Sequence, residues 1–254
     1  MSEARRSIWI GYDSREAEAF FVARQSVARR LTQPIPIRGI VLSDLMDRGL
    51  YTRPTSLTTT RHGQRKIYDM LSRREDYDGS MATEFGISRF LVPSLALNGW
   101  ALFMDCDMLA RGNLVRVFDL CDDSKAVMCV KHDYQPQSEV KMDGQQQTKY
   151  GKKNWSSFML FNCDHPDNRA LTLDLVNTAR GIDLHRFCWL KDEDIGELPE
   201  EWNWLVDHSP PSKIPMVVHF TEGGPWMTGY EDVPFAVEWR KERDICAIGA
   251  YHPA

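Results

Sequence analysis

The sequence predicts an α/β fold: helices packed on a mainly parallel central sheet, in one domain. Three observations predict it. Short apolar runs at 7–11, 36–42, 100–104, 126–130, 158–161 and 214–218 are separated by polar or helix-period segments, so strands and helices alternate. The chain opens strand, turn, helix, the first half of a βαβ unit. With 254 residues, 43% of them hydrophobic and 26% charged, it has the length and composition of one compact core.

Taken in order, SIWIG is the first strand, and Asp13-Ser14 then caps a helix that places Ala17, Phe20, Phe21, Val27, Ala28 and Leu31 on one face. Residues 36–42 form the second strand, before the short stretch SDLMDRG. TRPTSLTTTRHG reads as a polar loop rich in turn formers. A helix is expected over 83–97, with Ile87, Leu91 and Leu95 inward and a kink at Pro93. Strands follow at 100–104 and 126–130, then a polar segment at 131–154 and a strand at 158–161. NRALTLDLVNTARG is a helix ending on Gly181 as C-cap, 214–218 is a late strand, and AVEWRKERDIC is the closing helix.

Composition excludes several classes. No window approaches the ~18 uninterrupted apolar residues of a membrane span, and MSEARRSIWIGYD lacks an apolar signal core. The expectation is a soluble, cytoplasmic chain, with peripheral membrane contact through the amphipathic last helix as an alternative. The six cysteines are scattered without a CxxC pair, as reduced buried thiols are. A formal net charge of −5 gives no global reason to bind nucleic acid.

The chemistry concentrates in GWALFMDCDMLARGNL, where a buried-strand pattern ends on Asp105 and Asp107. Ligands of open α/β sheets bind beyond the carboxyl ends of strands. Alternation sends residues i and i+2 to one side, so both carboxylates face one point while Cys106 turns inward. Two close carboxylates repel unless a cation lies between them. A hard ion such as Mn²⁺ or Mg²⁺ fits such oxygens and leaves positions open for a diphosphate. The bland alternative is a solvated turn. In PMVVHFTEGGPW a second apolar strand delivers His219, whose imidazole completes the carboxylate set, and the N–H groups of Gly223 and Gly224 are candidates to approach phosphate oxygens.

Taken together, IWIGYD, FGISRFLVP, ALFMDCDML, SSFMLFN, LPEEWNWL and VVHFTEGGPW resemble the GT-A type glycosyltransferases, most of all family 8 and its relatives. The resemblance covers nearly the whole chain. It implies a single Rossmann-like nucleotide-diphospho-sugar transferase domain over 1–254, with a nucleotide-binding half (1–110) and an acceptor and metal-completing half (111–254). It also implies a nucleotide-sugar donor, a UDP-sugar by preference, held with Mn²⁺ or Mg²⁺ by Asp105, Asp107 and His219. Gly11, Tyr12 and Asp13 match the turn that meets the base, and Arg89 matches the arginine near the donor. Asp192, Glu193 and Asp194 match the acidic segment beside the reacting sugar, which makes them the candidate catalytic residues, for positioning the acceptor or stabilising the positive charge at the anomeric carbon, and transfer with retention of configuration is expected.

Two departures stand out. Gly224, rather than a lysine, precedes Pro225-Trp226, so the diphosphate charge is expected to be met by Lys141, Lys149, Lys152 and Lys153, with 131–154 as a lid. Ser156-Ser157 replaces the family's Asn-(Ala/Ser)-Gly, so the donor sugar does not carry over. The acceptor is open among glycan, lipid-linked, protein and modified nucleic-acid hydroxyls. One rival is a nucleotidyltransferase, although Gly11-Tyr12-Asp13-Ser14-Arg15 is a poor phosphate loop. The other is a non-catalytic nucleotide-sugar or glycan-binding module presenting Trp155, Trp202, Trp204 and Trp226.

Overall fold

The computed structural model describes residues 5–59, 65–75, 77–133, 152–211 and 213–250. A six-stranded sheet forms its centre: β1 (Arg6–Gly11), β2 (Ile37–Ile40), β6 (Trp100–Met104), β8 (Val127–Cys129), β9 (Phe158–Asn162) and β10 (Ile195–Glu197), in the order β10-β8-β9-β6-β1-β2. The sheet is mixed and mostly parallel. β2, β1 and β6 run together, as do β8 and β10, and β9 lies antiparallel between β6 and β8. All five residues of both β6 and β9 are buried, which is why WALFM and FMLFN are continuously apolar at the sheet centre.

Two smaller sheets flank the ends of this one. β3 (Thr55–Thr59), β4 (Arg65–Asp69) and β5 (Ser80–Met81) form an antiparallel unit. β7 (Met108–Ala110) pairs antiparallel with β12 (Val217–His219), which runs parallel to β11 (Trp204–Leu205). Thus the residues after Asp107 turn directly into a strand that lies beside the strand carrying His219. The helices are α1 (Ala17–Ala28), α2 (Leu42–Asp47), α3 (Val92–Ala96), α4 (Leu173–Thr178), α5 (Gly181–His185) and α6 (Ala236–Ala250).

Several sequence expectations are corrected. The polar loop of the fifties contains β3: its threonines are β-branched and pair across to β4, as Leu57 does with Ile67. Helix α1 turns Phe21 (55% exposed) and Ala28 outward and buries Ala19, Val22, Ala23 and Ser26, because β7 and α6 cover a second face. Ser26 Oγ accepts from the Ala110 N–H at 3.0 Å, which ties α1 to β7. Asp13 does not cap α1. Its carboxylate takes the N–H groups of Arg15 and Glu84 at 2.9 and 3.0 Å.

Residues 83–87 are turns, a 3₁₀ turn covers Ser88–Leu91, and α3 is short. Pro93 does not kink a helix but sits in the first turn of α3, where a missing N–H costs nothing. NRALTLDLVNTARG splits in the same way. Arg53 Nη1 takes the carbonyls of Val176 and Ala179 at 2.7 and 2.6 Å, α4 stops, and Gly181 begins α5 instead of ending the preceding helix. The late strand is shifted to Val217–His219, with Ile214 80% exposed. Of the proposed lid, residues 134–151, with Lys141 and Lys149, lie outside the described residues. Among the described residues no helix is long and apolar enough to cross a membrane, and the six cysteines are free thiols.

Candidate metal and donor site

Strand geometry brings the aspartates and the histidine together. Asp105 follows the last residue of β6, its N–H bound to the Ser157 carbonyl at 3.0 Å, and Cys106 turns into the core at 1% exposure. The Asp107 carbonyl accepts from the Phe220 N–H at 2.9 Å, which fixes it against the end of β12. Asp105, Asp107 and His219 each offer a ligand atom, and these atoms lie within 4.8 Å of one another. His219 Nε2 is 3.4 Å from Asp107 Oδ2.

Two neighbours fix this cluster. Asn203 is fully buried, and its Oδ1 lies 2.9 Å from His219 Nδ1. A carbonyl oxygen only accepts, so Nδ1 carries the proton and Nε2 presents its lone pair towards Asp107. The amide nitrogen of Asn203 donates to Ser157 Oγ at 2.9 Å and to the Asn154 carbonyl at 3.3 Å. Sequence reasoning passed over Asn203. Its position in LPEEWNWL, one residue before β11, gave no chemical signal, and only the parallel pairing of β11 with β12 carries it to the imidazole.

Arg89 is the second neighbour, 5% exposed and stacked on the rings of Phe85 and Phe103 at 5.2 and 5.0 Å. Its Nη1 lies 2.8 Å from Asp105 Oδ1 and donates to the Ser156 carbonyl at 2.8 Å. The ion pair is buried rather than superficial, so losing either partner strands a charge.

Asp105, Asp107, His219 and Arg89 line a cavity of about 260 Å³. Its walls include Asp69 and Ser72, the β5 residues Ser80 and Met81, Ser156 and Ser157, and Gly181 and His185 of α5. Arg74, Lys153 and Arg180 add cationic side chains to the lining. The back wall is braced by a buried pair in which Arg53 binds Asp69 through Nη2 at 2.6 Å, and Ser72 bridges Asp69 to the Gly181 N–H. Burial keeps two further imidazoles, His185 and His132, neutral. Burial, then repulsion from Arg89, lowers His185 to about 3, and burial lowers His132 to about 4.

The other sequence-selected residues do not line this cavity. Gly11 packs under Phe85, whose ring lies 2.4 Å from where a Cβ would sit, and Tyr12 meets Phe20 edge-on at 5.1 Å. Asp13 is fully buried and bound to Arg15. Gly223 and Gly224 lie against aromatic rings, where added Cβ atoms would meet Tyr230 at 2.8 Å and Trp226 at 2.0 Å. The Gly223 N–H already donates to the Phe220 carbonyl at 3.1 Å. Asp192, Glu193 and Asp194 form a 3₁₀ turn in which the first two are exposed and Asp194 is half-buried. There Lys152 Nζ holds Asp192 at 2.6 Å and keeps its carboxyl below the usual range, Glu193 pairs with Lys191 at 3.6 Å, and Asp194 accepts from the Lys191 N–H. Trp202 and Trp204 are buried in the core.

The mixed, mostly parallel sheet matches the fold of solved GT-A glycosyltransferases. The bifunctional glycosyltransferase WbbM superposes with a TM-score of 0.61 at 13% identity, over 95% of this chain and 50% of that one. The glycosyltransferase GlyE of Streptococcus pneumoniae TIGR4 gives 0.58 at 11% identity, over 96% and 63%. The galactosyltransferase LgtC, solved with donor and acceptor sugar analogs, gives 0.53 at 14% identity, over 94% and 95%. The chain therefore spans about half of WbbM and under two thirds of GlyE. No protein-family model matches it. It belongs to the family of Protein CDI of Arabidopsis thaliana, with which it is 42% identical over 243 residues, 93% of this chain and 85% of that protein.

Proposed function

We propose that the protein is a metal-dependent glycosyltransferase that moves a sugar from a nucleoside diphosphate-sugar, UDP-linked by preference, to an acceptor hydroxyl. The observation that carries this reading is the convergence of Asp105, Asp107 and His219 on one point at the strand ends of a glycosyltransferase fold. Two carboxylates and an imidazole whose Nε2 lone pair faces them suit Mn²⁺ or Mg²⁺. When bound, such an ion supplies a Lewis acid for the negative charge of a departing diphosphate.

The chain's own residues have separate tasks in this reading. Asp105 and Asp107 orient the site, and Arg89 holds Asp105 in one rotamer. Lys153, Arg74 and Arg180 in the cavity lining add positive charge around an anionic donor. In the reaction the bond from the anomeric carbon to the diphosphate oxygen breaks with its electron pair leaving on oxygen. The acceptor oxygen bonds to that carbon, and its proton passes to the departing diphosphate. The exposure of Asp192 and Glu193, with Asp194 half-buried beside them, favours positioning of the acceptor over contact with the donor. Gly11, Tyr12 and Asp13 are assigned to the base, and retention of configuration is assigned, on family likeness. Six free thiols suit a reducing compartment, so the proposed location is the cytoplasm.

Calorimetric titration with UDP and GDP, with and without Mn²⁺, tests the first step. Tight binding that EDTA abolishes supports the proposal. A panel of nucleotide sugars then tests turnover through released nucleoside diphosphate. Preference for a nucleoside triphosphate, or no release across the panel despite binding, overturns it.

A further inference from the structure

The pair His185 and Ser156 has no part in the metal cluster, yet stands beside it. His185 Nδ1 and Ser156 Oγ are 2.7 Å apart, and both residues line the cavity. Ser156 is 4% exposed, and its carbonyl is held by the same Arg89 guanidinium that holds Asp105. A single arginine therefore ties the backbone of Ser156 to the proposed metal-binding carboxylate. The imidazole is fixed in turn by the Phe90 ring, edge-on at 5.2 Å, and by the bracing of α5 through Ser72. Side chains held this firmly present a defined hydrogen-bonding surface rather than an adaptable one.

We propose that His185, acting through Ser156, is a positioning residue that selects the sugar of the donor by fixing the direction of the Ser156 hydroxyl. This rests on the glycosyltransferase reading above. Either tautomer of a neutral imidazole leaves the serine able to serve a ligand: if Nδ1–H donates, the serine O–H is available to donate; if the serine donates to Nδ1, its lone pairs accept. A sugar hydroxyl both donates and accepts, so it satisfies either arrangement, whereas a phosphate oxygen satisfies only one. Because burial and Arg89 keep His185 neutral down to about pH 3, the wall offers hydrogen bonds without a formal charge at this point. The ligand group it fits is an uncharged polyhydroxyl ring.

The test compares UDP with UDP-glucose, UDP-galactose and UDP-N-acetylglucosamine by calorimetry in Mn²⁺, for the wild type and for S156A, H185F and H185N. The wild type should bind at least one UDP-sugar more tightly than UDP. In S156A and H185F that advantage should shrink by roughly 10-fold, the worth of about one hydrogen bond, with UDP affinity unchanged. H185N, whose amide reaches the Nδ1 position, should recover most of it. Equal losses for UDP and UDP-sugars, an undiminished sugar advantage, or no sugar advantage in the wild type each overturn the inference. Failure of the wild type to bind any nucleoside diphosphate instead overturns the glycosyltransferase reading on which it rests.

Discussion

His219 and Asn203 meet at 2.9 Å between Nδ1 and Oδ1, and this contact decides which imidazole nitrogen faces Asp107. Removing the amide in N203A frees the ring to rotate and to change tautomer. Mn²⁺ affinity, followed by the electron paramagnetic resonance of the free ion, should fall about 10–100-fold. N203D keeps the accepting oxygen and should retain most of the affinity. An N203A protein that is folded and binds Mn²⁺ like the wild type would deny Asn203 this role.

The two aspartates should separate on stability while agreeing on metal. Asp105 is 8% exposed and is paired with buried Arg89, so D105A leaves a guanidinium without its partner. Urea unfolding of the metal-free protein should show a loss of about 3–5 kcal/mol. D107N removes one of two neighbouring negative charges and should leave the metal-free midpoint level or raised. Both should lose Mn²⁺ binding, and equal stability effects would contradict the assignment of Arg89 to Asp105.

Gly224 is explained by packing. A Cβ there would lie 2.0 Å from the Trp226 ring, which itself packs against Phe220 and Trp239. G224A should cost about 1–3 kcal/mol in urea through displacement of that ring, without any ligand present. A fully stable G224A would return the glycine to a ligand-facing role.

Acid should weaken the fold before most carboxylates titrate. His185 and His132 have native values lowered to about 3 and about 4, against about 6.5 when unfolded. Each therefore binds fewer protons in the native than in the unfolded state between those limits. Their stabilising contribution is complete above pH 6.5 and declines as pH falls towards the native values. Melting temperatures should drop between pH 6.5 and 5, and H185F should show a shallower drop. An unchanged slope in H185F would place the acid sensitivity elsewhere.

Much of the frame was legible in the sequence because its signals are local. WALFM, FMLFN and SIWIG are apolar on both strand faces, as central strands must be, and their ends announce the site. The short helices were legible only in part. Residues 83–97 and 168–181 carry helical periodicity, but their backbone partners come from distant residues such as Arg53, which draws away carbonyls that a longer α4 would have used. β3 was hidden because threonine serves polar loops and strands alike, and only its partner β4 distinguishes them.

By itself the sequence determined an α/β sheet and the placement of Asp105 and Asp107 at a strand end, because alternation and hydrophobic runs are properties of neighbouring residues. Tertiary structure alone decided that His219 faces Asp107, that Asn203 sets its tautomer, and that His185 stands beside Ser156. Each of these contacts joins residues 16 or more positions apart, through strand pairing and packing that no local pattern encodes.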